Sequence, residues 1–131
     1  MVEQSVELLQ IEVPCDATAP AAVRSCLGEV EELGPSVGDA MLVASELVTN
    51  AVLHSGCVEE PIEVRVSRSD ETVRIAVSDT GSSGSEAVPL EPGPASRIGQ
   101  YGLFVVSKLA RRWGAAREHG YTVWAELPLA G

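Results

Sequence analysis

The hydrophobic positions of residues 36–55 follow the period of a helix. Apolar side chains return there at three- and four-residue steps, as expected for an amphipathic helix. These residues are Val37, Ala40, Met41, Ala44, Val48, Ala51 and Val52. The segment has no proline and one glycine near its start. The pattern therefore predicts a long helix that ends at Gly56 and around which the rest of the chain is arranged.

Alternation of apolar and polar residues predicts strands on both sides of this helix. Residues 6–13 combine alternation with β-branched side chains and stop at Pro14. Residues 62–67 and 73–77 alternate regularly and are joined by the short turn 69–71, which predicts a hairpin with one face in water.

The remaining apolar pattern predicts two more helices and a second hairpin. A helix from near Ala19 should stop at Gly34, and another should follow Gly99 and end at Gly114. The last two strands are predicted over 115–119 and 121–127.

This order of elements predicts an α+β fold. Strands and helices do not strictly alternate, which favours a two-layer sandwich with helices on one face of a mixed, mostly antiparallel sheet. The 131 residues are enough for one domain, 1–131. Residues 82–97 are rich in Ser, Gly and Pro and form a loop of unusual length, which predicts a functional lid or a partly disordered segment.

Composition and charge narrow the classes of partner. Apolar residues make up 45% of the chain, which is typical of a globular protein. The formal net charge is −10, and Arg111 and Arg112 are the one cationic cluster, so nucleic acid is not expected as the main partner. The acidic surface could recruit a basic protein or serve solubility alone.

The expected location is the cytoplasm. Glu3 and Glu7 interrupt the N-terminal apolar residues, so no signal peptide is predicted, and no apolar run is expected to approach the length of a membrane span. Cys15, Cys26 and Cys57 are scattered and lack the spacing of metal ligands. We therefore expect reduced cysteines and neither a disulfide nor a metal site built from them.

Three polar residues lie along one stripe of the long helix. Glu46, Asn50 and His54 are spaced i, i+4 and i+8, which places them on the same face. Such groups border a polar pocket or belong to a solvated helix face, and for an arbitrary helix the solvated face is the commoner case.

Two further features could carry chemistry. Asp79 ends an apolar strand beside Gly81, which suits a hydrogen bond from an amino group such as that of adenine, although an ordinary Asx turn has the same pattern. Gly99 and Gly102 open a helix whose N-terminus could face phosphates, although glycines before a helix are common.

Taken together, these elements resemble the GHKL ATPase superfamily, and most of all its small anti-sigma serine-kinase branch as it occurs in actinobacteria. The resemblance covers roughly residues 14–127. It rests on the order of the three elements and on the phrases SELVTNAV (45–52), RWG (112–114) and TVWAEL (122–127).

The resemblance implies an ATP site with a bound Mg²⁺. Asn50 would coordinate Mg²⁺ through a hard oxygen ligand. Glu46 would be the general base that activates a serine hydroxyl or water. Asp79 would bind the adenine amino group, and Gly81 would let the base approach. His54 matches a position near the phosphates, where a packed or surface histidine is the alternative.

The resemblance also assigns the remaining contacts to the nucleotide. Gly99, Gly102 and the N–H of Leu103 would hold the phosphates, and residues 82–98 would be the ATP lid. Thr122 would assist at the adenine end.

Two departures from the family pattern fall in the glycine-rich segments. Ser83 and Gln100 stand where the family usually has glycine. If those backbone positions require a positive φ, each residue costs roughly 1 kcal/mol or more. Adenine binding is therefore better preserved than phosphate binding.

The function implied is an ATP- and Mg²⁺-dependent protein serine kinase that sequesters a sigma factor and phosphorylates a small anti-sigma antagonist of the STAS type. A homodimer is expected from the family. The alternative is a non-catalytic GHKL-fold binding module that regulates a partner by contact. A detached histidine-kinase catalytic domain is a third possibility, which the closing TVWAEL phrase disfavours.

Overall fold

The fold is known from a computed structural model, which describes residues 5–54, 60–79, 100–117 and 121–129; of residues 54, 100–104, 116, 117 and 121 it describes the backbone alone. The elements are β1 (Val6–Val13), α1 (Ala19–Gly28), a 3-10 turn (Glu31–Ser36), α2 (Val37–His54), β2 (Ile62–Arg68), β3 (Thr72–Ser78), α3 (Gln100–Leu109), β4 (Arg112–Arg117) and β5 (Tyr121–Pro128).

The five strands form one sheet in the order β1-β2-β3-β5-β4, and each neighbouring pair is antiparallel. The predicted α+β sandwich is confirmed. The sheet is antiparallel throughout its described pairs, rather than mixed. The segment after β3 contains α3 and leads through β4 to β5, which returns beside β3.

The strands form because their alternation separates two faces. Val64 in β2 lies opposite Val77 in β3, and Ile75 in β3 lies opposite Ala125 in β5. These four side chains are buried under the helices, and the residues between them point to the other face. We call that other surface the open face of the sheet.

Helix α1 is shorter than its apolar pattern predicts. Its buried side chains are Ala19, Val23 and Leu27, at four-residue steps along one face. The helix ends at Gly28, and Leu33 is buried from the following 3-10 turn instead. Gly34 has a φ of 52°, a conformation that glycine adopts without steric cost.

Helix α2 is the centre of the helical layer and contacts α1, α3 and β3. Five apolar side chains along it are fully buried: Ala40, Val43, Ala44, Leu47 and Val48. By length and composition Glu31–Leu53 could cross a membrane, with a mean hydropathy of 1.2, so the prediction that no run approaches such a length is wrong. Core helices of soluble proteins can have the same length and hydropathy, and 44% of the apolar part of this segment is buried in the fold.

The third helix also ends earlier than predicted. Helix α3 stops at Leu109, and Trp113 and Gly114 lie within β4. The apolar spacing continued past the helix end because Trp113 faces the same core from a strand, opposite the buried Ala125.

The cysteines do not share one state. Cys15, between β1 and α1, is disulfide-bonded, so the prediction of a reduced thiol is wrong there. Cys26 in α1 is free. Cys57 lies outside the described residues.

Candidate functional site

Helix α2 brings a carboxylate and a carboxamide to the border of the helical layer. Glu46 is half-buried, whereas the Asn50 side chain, one turn later, is only 6% exposed. His54 ends the helix, and its side chain lies outside the description. The predicted stripe is therefore not a solvated face at Asn50.

The Asn50 side chain carries an unsatisfied acceptor. Its Oδ1 atom is buried and has no hydrogen-bond partner. A buried carbonyl oxygen without a donor costs about 1–3 kcal/mol. A hard oxygen of this kind fits a ligand of Mg²⁺. In the described part of the chain, no three His, Cys, Asp or Glu side chains come together.

Asp79 points to the same layer as Asn50. It follows β3, where Val73, Ile75 and Val77 are buried, and it continues their alternation with 7% of its surface exposed. Because α2 packs on the same side of β3 to which Asp79 points, Asn50 and Asp79 are on the same side of the sheet. The two polar groups that the sequence places at a nucleotide site are thus both buried on that side.

Thr122 is on the opposite side of the sheet. Its Oγ1 atom lies 2.7 Å from the Ser78 Oγ atom, and both residues line a depression on the open face. The next residue in β5, Val123, points to the helical side of the sheet and is buried. The assignment of the Thr122 side chain to the adenine end of the site therefore does not fit the structure.

The phosphate-binding residues are described only in part. Gly102 and Leu103 lie in the first turn of α3, so their N–H groups are at its N-terminal end. Gln100 is the first helical residue, so the strain expected from a positive φ does not arise there. Gly81, Ser83, Gly99 and the predicted lid, 82–98, are outside the described residues.

The open face carries a cluster that the pattern of the sequence did not indicate. Arg74 and Arg112 both donate to the Glu126 carboxylate, at 3.1 Å and 2.8 Å. Their guanidinium carbons lie 4.5 Å and 5.9 Å from the centre of the Trp124 ring. Arg112, Trp124 and Glu126 belong to the RWG and TVWAEL phrases, which pair in the β4–β5 hairpin, whereas Arg74 comes from β3.

The open face also holds a depression of about 470 Å³ between β1 and β5. Glu7 and Arg65 form an ion pair of 2.9 Å at its border. The hydrogen bond and the charge of Glu7 raise the pKa of Arg65. These contacts neutralise the cation locally, and the depression lies on the other side of the sheet from Asn50 and Asp79.

Comparison with known proteins agrees with the geometry. Residues 13–127 match the family model of the histidine kinase-like ATPase domain. No curated protein matches the chain. Domains of this GHKL type generally bind ATP, usually with Mg²⁺. The match spans nearly all the described elements, from the end of β1 to β5, and the chain belongs to the histidine kinase-like ATPase domain family of the GHKL superfamily.

Proposed function

We propose that this chain is an ATP- and Mg²⁺-dependent protein serine kinase of the anti-sigma type. It would bind a sigma factor and phosphorylate a small STAS-type antagonist on serine. The observation that supports this proposal best is the buried Asn50 Oδ1 atom without a partner, one helical turn from the half-buried Glu46.

Each residue of the site would have a separate role in binding the nucleotide. Asn50 would supply one ligand of Mg²⁺, an ion that neutralises charge on the phosphates. Asp79 would accept a hydrogen bond from the adenine amino group. The helical N–H groups of Gly102 and Leu103 would face phosphate oxygens. Positioning and charge neutralisation, rather than covalent catalysis, would account for the rate.

The transfer step needs one base. The Glu46 carboxylate would take the proton of the serine hydroxyl as the serine oxygen bonds to the γ-phosphorus. The bond between the γ-phosphorus and the oxygen that bridges to the β-phosphate breaks, and ADP leaves with that electron pair. The half-buried position of Glu46 suits this role because one side of the carboxylate remains accessible to a substrate.

The first test replaces the base. In Glu46→Ala, and in the closer isostere Glu46→Gln, transfer of the γ-phosphate to a co-purified STAS-type antagonist should fall by about 10²–10⁴-fold, the usual contribution of a general base. Calorimetry should show Mg·ATP binding in both variants. Normal transfer by either variant would show that Glu46 is not the base.

A non-catalytic binding module remains the second candidate. Thr122 points to the open face, so this side chain does not complete the adenine contacts expected from the family. Titration of the wild-type chain with Mg·ATP separates the two candidates. Absence of heat at millimolar nucleotide would favour the module, whereas saturable binding followed by phosphate transfer would favour the kinase.

A further inference from the structure

Large apolar side chains are rarely exposed on this protein. Among the described residues, three are: Val6 in β1, and Leu42 and Leu53 in α2. Leu42 is 42% exposed and Leu53 is 65% exposed. A single exposed leucine is ordinary on a protein surface, so the position of the α2 pair relative to other groups decides whether it is informative.

The two leucines lie on one line along α2. Their separation in sequence corresponds to about three helical turns, or about 16 Å along the axis. Glu46 and Thr49 occupy the turns between them on the same line. We call Leu42, Glu46, Thr49 and Leu53 the α2 stripe. Its two ends are apolar, and the carboxylate proposed as the base lies between them.

The hydroxyl groups beside Glu46 are already engaged. The Thr49 hydroxyl donates to the Ser45 carbonyl oxygen at 2.7 Å, and the Ser45 hydroxyl donates to the Leu42 carbonyl oxygen at 3.2 Å. Neutral hydroxyls are also far weaker bases than a carboxylate, so neither would replace Glu46 as a proton acceptor. Glu46 is the titratable group of the α2 stripe.

We propose that the α2 stripe is the docking surface for the protein segment that carries the acceptor serine. This inference rests on the proposed kinase function. A serine that reaches Glu46 brings its neighbours over the surfaces on either side of that carboxylate, and those surfaces are Leu42 and Leu53. The occupant is thus an extended segment with a central serine and an apolar side chain at each end.

The spacing and charge of the stripe define this segment further. An extended chain advances about 3.3 Å per residue and its side chains alternate between two faces. Apolar residues four or six positions apart, about 13 Å or about 20 Å, therefore come nearest to the separation of the two leucines with both side chains on the face that meets α2. Asp39 is exposed in the first turn of α2, and with Glu46 it makes this surface acidic in a chain of net charge −10. The segment should therefore also carry a lysine or arginine beside one apolar residue.

The test uses labelled peptides with a central serine. Two series have leucines four or six positions apart, each an even number of positions from the serine, and a lysine two positions beyond either leucine. Matched series have asparagine, which is neutral and similar in shape, in place of the leucines. Binding is followed by fluorescence anisotropy in the presence of Mg²⁺ and a non-hydrolysable ATP analogue. The wild-type chain should bind the leucine peptides of one spacing at least tenfold more tightly than the matched asparagine peptides.

The variants compare the stripe with a matched apolar position. Leu42→Asn combined with Leu53→Asn should abolish the preference for leucine peptides. Val6→Asn removes the other exposed apolar side chain, outside the stripe, and should leave the preference intact. Asparagine adds no charge, and the affinity for Mg·ATP should agree in all three proteins, each of which should unfold in a single cooperative transition.

The outcomes separate docking from catalysis. No preference in the wild-type chain, or a preference that survives in the Leu42/Leu53 variant, would overturn the docking surface. Preferred binding of leucine peptides without transfer of the γ-phosphate would support the surface and count against the kinase. Transfer that is equally fast in the Leu42/Leu53 variant would support the kinase and count against the surface.

Discussion

At the scale of single residues, Gly114 shows how one missing side chain shapes the open face. A Cβ atom at this position would lie 3.1 Å from the Trp124 Cζ2 atom and 3.4 Å from its Cε2 atom. Arg74 stacks on the same ring and donates to Glu126. The indole can therefore lie across β4 only because residue 114 is glycine.

A pair of glycine substitutions tests this packing. Gly114→Ala should lower the free energy of unfolding by about 1–3 kcal/mol, because the added methyl group displaces Trp124. Gly38→Ala, in α2, should raise it by about 0.5–1 kcal/mol, because its Cβ meets nothing within 4 Å and alanine favours helix. Urea denaturation measures both. Stabilisation by Gly114→Ala would show that the ring moves without cost.

Asn50 is the residue where stability and function are expected to oppose each other. Asn50→Leu removes the unsatisfied Oδ1 atom at similar volume, so the free protein should be as stable as the wild type, or more stable by up to about 2 kcal/mol. The rise in melting temperature that Mg·ATP causes should disappear. Ser45→Ala, one turn away and also buried, is the control and should keep it. Retention of the rise in Asn50→Leu would contradict the metal-ligand role.

At the scale of elements, the start of α1 depends on a side chain outside the helix. Thr18 occupies the N-cap position and makes no side-chain cap bond of its own. Asp16 Oδ1 instead accepts hydrogen bonds from the Thr18 N–H, at 2.8 Å, and from the Thr18 hydroxyl. These bonds lower the pKa of Asp16, with the hydroxyl as the larger cause. The turn before α1 is therefore held by a charged carboxylate.

The sign of the resulting pH dependence is fixed by the direction of this shift. A carboxyl whose pKa is lower in the folded state stabilises the fold above its unfolded pKa, near 3.8, and loses that contribution as pH falls through the folded pKa. The difference in urea midpoint between wild type and Asp16→Asn should therefore shrink as pH falls below about 4. Asp70→Asn, in the exposed β2–β3 turn, provides the comparison. A constant difference down to pH 2 would contradict the stabilising role.

At the scale of the whole molecule, the net charge of −10 opposes the compact state through repulsion. The ion pairs among the described residues include Glu7–Arg65, Arg74–Glu126 and Arg112–Glu126. Pairs in which at least one partner remains in contact with water, as in these three, contribute about 0.2–1 kcal/mol each. Repulsion among the uncompensated carboxylates should therefore outweigh the loss of these pairs when salt is added.

The dependence of the melting temperature on salt concentration tests whether repulsion outweighs the ion pairs. Raising sodium chloride from about 0.1 M to about 1 M shortens the Debye length from about 10 Å to about 3 Å. The melting temperature of the nucleotide-free protein should rise. The double variant Glu31→Gln/Glu32→Gln, which removes two exposed charges from the 3-10 turn, should show a smaller rise. A lower melting temperature at high salt would mean that the ion pairs dominate.

The sequence alone determined the elements whose signal is local. Alternation predicted β1, β2 and β3 to within a residue or two, and the 3.6-residue period predicted α2, because side-chain direction follows directly from backbone period. The position of Glu46 and Asn50 on one face of α2 followed from the same geometry.

Only the tertiary structure decided properties that depend on what lies opposite a residue. Trp113 belongs to a strand because β4 pairs with β5, and an apolar period does not identify the partner element. Thr122 faces away from Asp79 because β5 pairs with β3 so that Thr122 lies opposite Ser78, and Asp79, one residue later, points to the other face of the sheet. The unsatisfied oxygen of Asn50 and the exposure of Leu42 and Leu53 likewise depend on how α2 packs, since burial belongs to the assembled layers and not to the helix itself.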